Sequence, residues 1–161
     1  MKTPLLLLSL LIFPYLGVAA IEAVRGYRFE SGFRGCVGLT VLLLLTGSSH
    51  FTSPEPMIEM LPAWVPSRPT LVGATGVLEI LLGLAVLVPR SRRAAGIVLI
   101  ALFVALFPAN VWAAFARVPV GGHAWGPIYL LVRAPLQAIF VWWTYRFAVR
   151  APAKSSRLTA A

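Results

Sequence analysis

Five apolar runs, each close to the length of a bilayer-crossing helix, fix what this chain can become. They cover residues 4–24, 35–49, 70–88, 94–116 and 127–148. A spanning helix needs roughly 20 predominantly apolar residues. The second run reaches that length only if Arg34 and His50 sit at the two interfaces. In lipid every backbone N–H and C=O must be bonded internally, which leaves helices and closed barrels. The runs show no alternating apolar–polar pattern, so helices are expected and the fold class is all-α integral membrane. Composition agrees, with 59% hydrophobic and 12% charged residues. A soluble domain carries about 25% charged residues.

The net charge of +9 would suggest nucleic acid in a soluble protein. Here the basic residues fall in short segments between apolar runs and read as topology signals. Arg25, Arg28, Arg34, Arg90, Arg92, Arg93, Arg146, Arg150, Lys154 and Arg157 lie on one side, against Lys2, Arg68 and Arg117 on the other. The rich side is expected to be cytoplasmic, which puts the N-terminus outside and the C-terminus inside. The first run has the look of a signal peptide, with Lys2 ahead of an apolar stretch and small residues near Val18 and Ala20. Cleavage there would leave three arginines on the wrong side, so the run is read as a retained helix. The tail from residue 149, with Lys154, Ser155, Ser156 and Arg157, reads as a disordered cytoplasmic end in reach of anionic lipid.

The segment 51–69 has two readings. Ser53 can cap a short helix with Pro54 at its first position. Met57, Met60, Leu61 and Trp64 would then share one face at helical spacing, with Glu55 and Glu59 opposite, on a helix lying flat at the outer interface. Alternatively the segment is a proline-rich connector. Trp64, Trp112 and Trp125 fall near outer ends, and Trp142, Trp143 and Tyr145 near the inner end of the last run. Interfacial belts account for such aromatics.

Two charged residues, Glu79 near the middle of its run and Arg133 about a third of the way into the last, lie well inside the runs. A charge at a bilayer centre costs roughly 2.5–3.5 kcal/mol on insertion scales. At a rise of about 1.5 Å per residue, Glu79 lies about 15 Å and Arg133 about 10 Å from the outer face. An ion pair between them would lower the cost of each. Gly73, Gly76, Glu79 and Gly83 make one stripe, and small residues let a neighbouring helix approach closely. Tyr129, Arg133, Gln137 and Phe140 share a face, Asn110 follows Pro108, and His50 ends the second run. Pro108 and Pro135 each free a backbone carbonyl. His50, Glu79, Asn110, Arg133 and Gln137 therefore converge in the outer half of the membrane. Two readings stand: a hydrogen-bonded network that fixes helix register, or a site for a small amphipathic ligand such as a quinone headgroup. A proton path is a third.

Other chemistry has little footing. Cys36 is the single cysteine, so one chain offers no disulfide and no CxxC pair, and it reads as a packing residue. The two histidines, His50 and His123, are not expected to form a haem or metal pair. His123 follows Gly121 and Gly122 and reads as a solvated loop residue. No catalytic triad, phosphate loop or GxGxxG is present, so the chain is not expected to be an enzyme on its own.

The chain resembles the DoxX family, and more closely its DoxX-like branch, in an ordered set of motifs. These are GSSHF at Gly47–Phe51, then Pro54, Pro62 and Pro66, then GVLEILLG around Gly76, Glu79 and Gly83. VPRSRR at Val88–Arg93, FPAN at Phe107–Asn110 and RAPLQ at Arg133–Gln137 complete it. The resemblance implies a DoxX-like four-helix bundle over 34–148 in the bacterial cytoplasmic membrane. Residues 1–33 would add one transmembrane helix and a loop, and 149–161 a basic tail. It further implies a redox-associated accessory subunit that binds quinone or supports a quinone-linked oxidoreductase, with a membrane or soluble redox-enzyme partner or a second copy of the chain. The alternatives are an assembly protein without ligand and a small transporter or proton-conducting protein. The first run lies outside the shared core, and the lone Cys36 argues against a disulfide relay.

Overall fold

A computed structural model describes residues 2–26, 28–30 and 32–151. The tail expected beyond it, with Lys154 and Arg157, lies outside the described residues. Five helical stretches are long and apolar enough to cross a membrane. They comprise α1 (Lys2–Arg25), α2 (Phe33–Thr52), α4 (Arg68–Ala85), α5 (Arg92–Phe115) and a composite last span. That span is built from 3-10 turns at His123–Tyr129, α6 (Leu130–Thr144) and a π-type turn at Tyr145–Val149. The short α3 (Pro54–Glu59) links α2 to α4. No strand occurs among the described residues.

The helices run up and down, so that one end of the bundle carries His50 and the other carries Arg92. Outward faces hold large exposed apolar side chains, among them Leu78, Leu81, Ile97, Val104 and Leu131, a surface suited to lipid. Leu39, Leu42, Leu43, Val86, Leu99, Leu136 and Phe140 are buried between helices.

The first helix is part of this packing. Leu11 is fully buried, and Gly38 on α2 lies directly under its backbone carbonyl, where a Cβ would overlap the oxygen. Small residues give two helices this kind of approach. Tyr15 meets the ring of Trp143 edge-on at 5.5 Å. Trp143 donates its indole N–H to the Gly35 carbonyl at 3.0 Å and so is a packing residue, not part of an interfacial belt. Trp142 and Tyr145 stay exposed.

The Arg92 end departs from the sequence reading. Arg92 was expected in a solvated loop, yet it is 3% exposed. It donates to the Val86 carbonyl at 3.0 Å, to the Glu30 carboxylate at 2.9 Å and to the Leu87 carbonyl at 3.3 Å. Buried Glu22 pairs with Arg34 and accepts from the Phe29 backbone N–H at 3.0 Å. Buried charges persist where partners saturate them. The Glu22–Arg34 pair ties α1 to α2, and the Glu30–Arg92 pair ties the segment between them to the start of α5. Glu79 and Arg133 are therefore not the chain's only charges inside the bundle.

Between α2 and α4, α3 ends at Glu59, short of the helical face expected through Trp64. Met57, Met60 and Leu61 turn inward, while Trp64 is 79% exposed. Pro54 takes the first helical position as expected, and Ser53 makes no side-chain cap.

A candidate ligand cavity at the His50 end

A cavity of about 600 Å3 opens within the bundle at the His50 end. Small-molecule sites span roughly 300–1,000 Å3 and are mostly apolar with a few convergent polar groups. This cavity fits that description. Leu6, Leu7 and Leu10 of α1 wall one side, Met57 and Met60 of the α3 segment cover it, and Phe103 and Phe140 floor it. All five residues singled out from the sequence, His50, Glu79, Asn110, Arg133 and Gln137, line it.

The polar groups form two sets. The first sits between α2 and α4. Gly76 brings α4 against α2, with a Cβ there falling 2.6 Å from His50 Cβ and 2.9 Å from the Gly47 carbonyl oxygen. This approach delivers Glu79, only 6% exposed, to α2. Thr46 donates to its Oε2 at 2.7 Å, and His50 Nε2 stands 3.7 Å from its Oε1. His50 Nδ1 lies 2.8 Å from the Val72 carbonyl. A carbonyl only accepts, so Nδ1 carries the proton. Gly73, expected on the same close stripe, has open space around it.

The second set sits between α5 and the last span. Arg133 donates through Nε to Asn110 Oδ1 at 2.8 Å, and Asn110 donates to the Leu106 carbonyl at 3.0 Å. Gln137 donates to the Phe103 carbonyl. The expected Glu79–Arg133 ion pair is not formed. The charge pairs among the described residues are Glu22–Arg34, Glu30–Arg92 and His50–Glu79. The reason is packing: α4 lies tightest on α2, so Glu79 meets Thr46 and His50 there, while Arg133 meets Asn110 on α5. Interhelical hydrogen bonds of this kind are worth about 1 kcal/mol. Gln137→Leu is expected to cost that much in denaturant unfolding followed by circular dichroism. No loss at all would mean the Phe103 contact adds nothing.

His123 is the residue that sequence reasoning missed. It is 3% exposed, not solvated. Gly122, at φ 115°, takes a backbone conformation that other residues rarely adopt. The Tyr129 ring occupies the space of its absent Cβ. That turn folds the imidazole under Tyr129, ring centroids 4.8 Å apart. The Gly121–Gly122 pair was the available signal, and it was read as marking a solvated loop.

Two polar atoms in this second set have no hydrogen-bond partner: Arg133 Nη1 and His123 Nε2, both buried. Buried polar atoms are normally satisfied, and an orphaned one costs about 1–3 kcal/mol. Both belong to residues that line the cavity.

A family model described as "Domain of unknown function (DUF8561)" matches residues 39–148. That stretch runs from α2 nearly to the end of the last span and includes every cavity residue outside α1. No curated protein and no solved structure matches the chain. The chain belongs to the DUF8561 family.

Proposed function

We propose that this protein is a multi-pass protein of the bacterial inner membrane that binds a quinone headgroup in the His50-end cavity, as an accessory subunit of a redox enzyme. One observation carries the reading. A cavity of about 600 Å3 is apolar except for convergent polar side chains, and two of these have buried atoms left unpaired. A quinone fits the residues present: the Arg133 guanidinium commits only its Nε, to Asn110, and so has N–H donors for a ring oxygen, and the leucine and methionine walls suit an apolar tail. Such a molecule, when bound, supplies reversible two-electron chemistry. The chain's own part is to hold and orient it. The resemblance of GSSHF, GVLEILLG, FPAN and RAPLQ to the DoxX family supports the same reading, and with it a DoxX-like bundle of α2 to α6 carrying α1 as an addition. The arginine distribution supports an outside N-terminus and a cytoplasmic C-terminus. The partner would be a membrane or soluble oxidoreductase, or a second copy of the chain.

A second reading rests on the bonds that bridge α5 and the last span, Arg133 to Asn110 and Gln137 to Phe103. In it the polar set is scaffold alone. One experiment separates the two. The protein is purified in mild detergent beside a Glu79→Gln, Arg133→Gln double variant, and extractable quinone is quantified. Near-stoichiometric quinone in the native protein, falling at least tenfold in a variant that stays helical, supports the binding role. Equal traces in both overturn it in favour of the scaffold.

A further inference from the structure

Among the described residues, Glu79 is the only acidic side chain that lines the cavity, and Arg133 is the only arginine. A buried carboxylate keeps a countercharge in contact or takes up a proton. Arg133 is not in contact: it donates to Asn110 and forms no ion pair with Glu79. Thr46 supplies one O–H, 2.7 Å from Oε2, a single hydrogen bond set against a full charge. The ionisable group beside Oε1 is His50, with Nε2 at 3.7 Å. The other titratable groups lining the cavity, His123, Tyr129 and Arg133, all come from the last span, and α1, α3 and α5 present none to it.

The tautomer of His50 decides what the gap beside Glu79 holds. Its Nδ1 proton goes to the Val72 carbonyl, 2.8 Å away. With that proton alone, Nε2 is an acceptor facing a second acceptor, the carboxylate oxygen. One more proton removes the conflict, whether it rests as imidazolium beside carboxylate or as imidazole beside carboxylic acid. In either form the pair is neutral. At 3.7 Å the two atoms are too far apart to hydrogen-bond each other, so the proton is left to face an oxygen in the cavity. We propose that His50 and Glu79 together hold one exchangeable proton at the cavity wall and bind a ligand carbonyl through it. That the occupant is a carbonyl rests on the quinone reading above, and it gives a quinone a second contact, on α2 and α4, besides Arg133. Loss of the proton leaves a net negative charge at the wall, which repels a ring oxygen. Exchange runs through the His50 end, since buried Leu42, Leu43, Leu82 and Leu99 fill the bundle toward the Arg92 end.

The test uses a decyl-substituted benzoquinone, which has no titratable group of its own. It is titrated into the protein in lipid nanodiscs across a pH series, with protein-free nanodiscs as the blank. Binding is expected to weaken about tenfold per pH unit above one midpoint, the dependence of a single linked proton. Glu79→Gln should displace that midpoint by about one pH unit or more, the mark of two coupled sites. The His50→Gln, Glu79→Gln double variant, which keeps His123, should bind without pH dependence. If Glu79→Gln does not fold, Thr46→Val, which strips the hydroxyl from Oε2, takes its place under the same criterion. Native binding that ignores pH would overturn the exchangeable proton and leave the quinone reading standing. A midpoint unmoved in Glu79→Gln would overturn it too, because a histidine would then titrate alone. Absence of saturable binding would overturn the quinone reading, and the pair is then read without ligand. Its carboxyl band in pH-difference infrared spectra should vanish in Glu79→Gln and shift in His50→Gln, and a band indifferent to His50→Gln would overturn the proton as well.

Discussion

Arg92→Ala is expected to cost about 3 kcal/mol of unfolding free energy. The guanidinium is 3% exposed and serves three acceptors on separate parts of the chain: Glu30 and the carbonyls of Val86 and Leu87. Removing it strands two backbone carbonyls at the end of α4 and leaves Glu30 without its cation. Breaking a fully buried pair costs about 3–5 kcal/mol. The lower end applies because Glu30 is partly exposed. Arg92→Lys should recover less than half of the loss, since an ammonium is a point charge and cannot fork across three acceptors. Denaturant unfolding in detergent, followed by circular dichroism, gives both values. A loss below about 0.5 kcal/mol for Arg92→Ala would mean that this network is a surface feature.

A pair of glycine substitutions should separate close packing from helix propensity. Gly38→Ala places a Cβ on the Leu11 carbonyl, a backbone atom that cannot swing aside. Overpacking of this sort costs about 1–3 kcal/mol, and here α1 must shift as a body. Because Leu6, Leu7 and Leu10 of α1 wall the cavity, the same change should weaken binding of the proposed quinone several-fold. Gly73→Ala is the control. Nothing lies within 4 Å of its Cβ position, and alanine is the better helix former by up to about 1 kcal/mol. Gly73→Ala should therefore be neutral or stabilising, although both glycines lie in apolar helices. Equal effects at the two sites would show that α1 is not packed on α2 through Gly38.

Much of the architecture was readable from hydropathy alone. The apolar run at 35–49 became Phe33–Thr52, and the extension follows from its ends: Arg34 and His50 find Glu22 and Val72 inside the protein. The face of Tyr129, Gln137 and Phe140 is buried as the spacing required. What hydropathy could not give was the choice of partner. Glu79 has an obvious opposite charge in Arg133, but helix order is not written in a periodicity, and α4 settled on α2. Arginine counting had the same weakness. It treats every basic residue between runs as solvated, which holds for exposed Arg90 and Arg93 and fails for Arg92, whose register turns it inward. His123 was lost for a related reason: two glycines before it signal a turn, and only the direction of that turn decides whether the next side chain faces solvent or the bundle. Cys36, read as a packing residue, is fully buried, with its thiol 3.6 Å from the Phe147 carbonyl oxygen of the last span.

The central claim is that the His50-end cavity receives an amphipathic headgroup. Photolabelling tests it most directly. A short-tailed azidoquinone is photolysed with the protein in lipid nanodiscs, and the modified peptides are mapped by mass spectrometry. The expected adducts lie on residues that line the cavity, above all Met57, Met60, His123 and Tyr129, and excess unlabelled quinone should suppress them. Adducts confined to outward-facing positions such as Leu78, Leu81, Ile97 and Leu131, and insensitive to competitor, would contradict the account and leave the cavity as a gap in the packing.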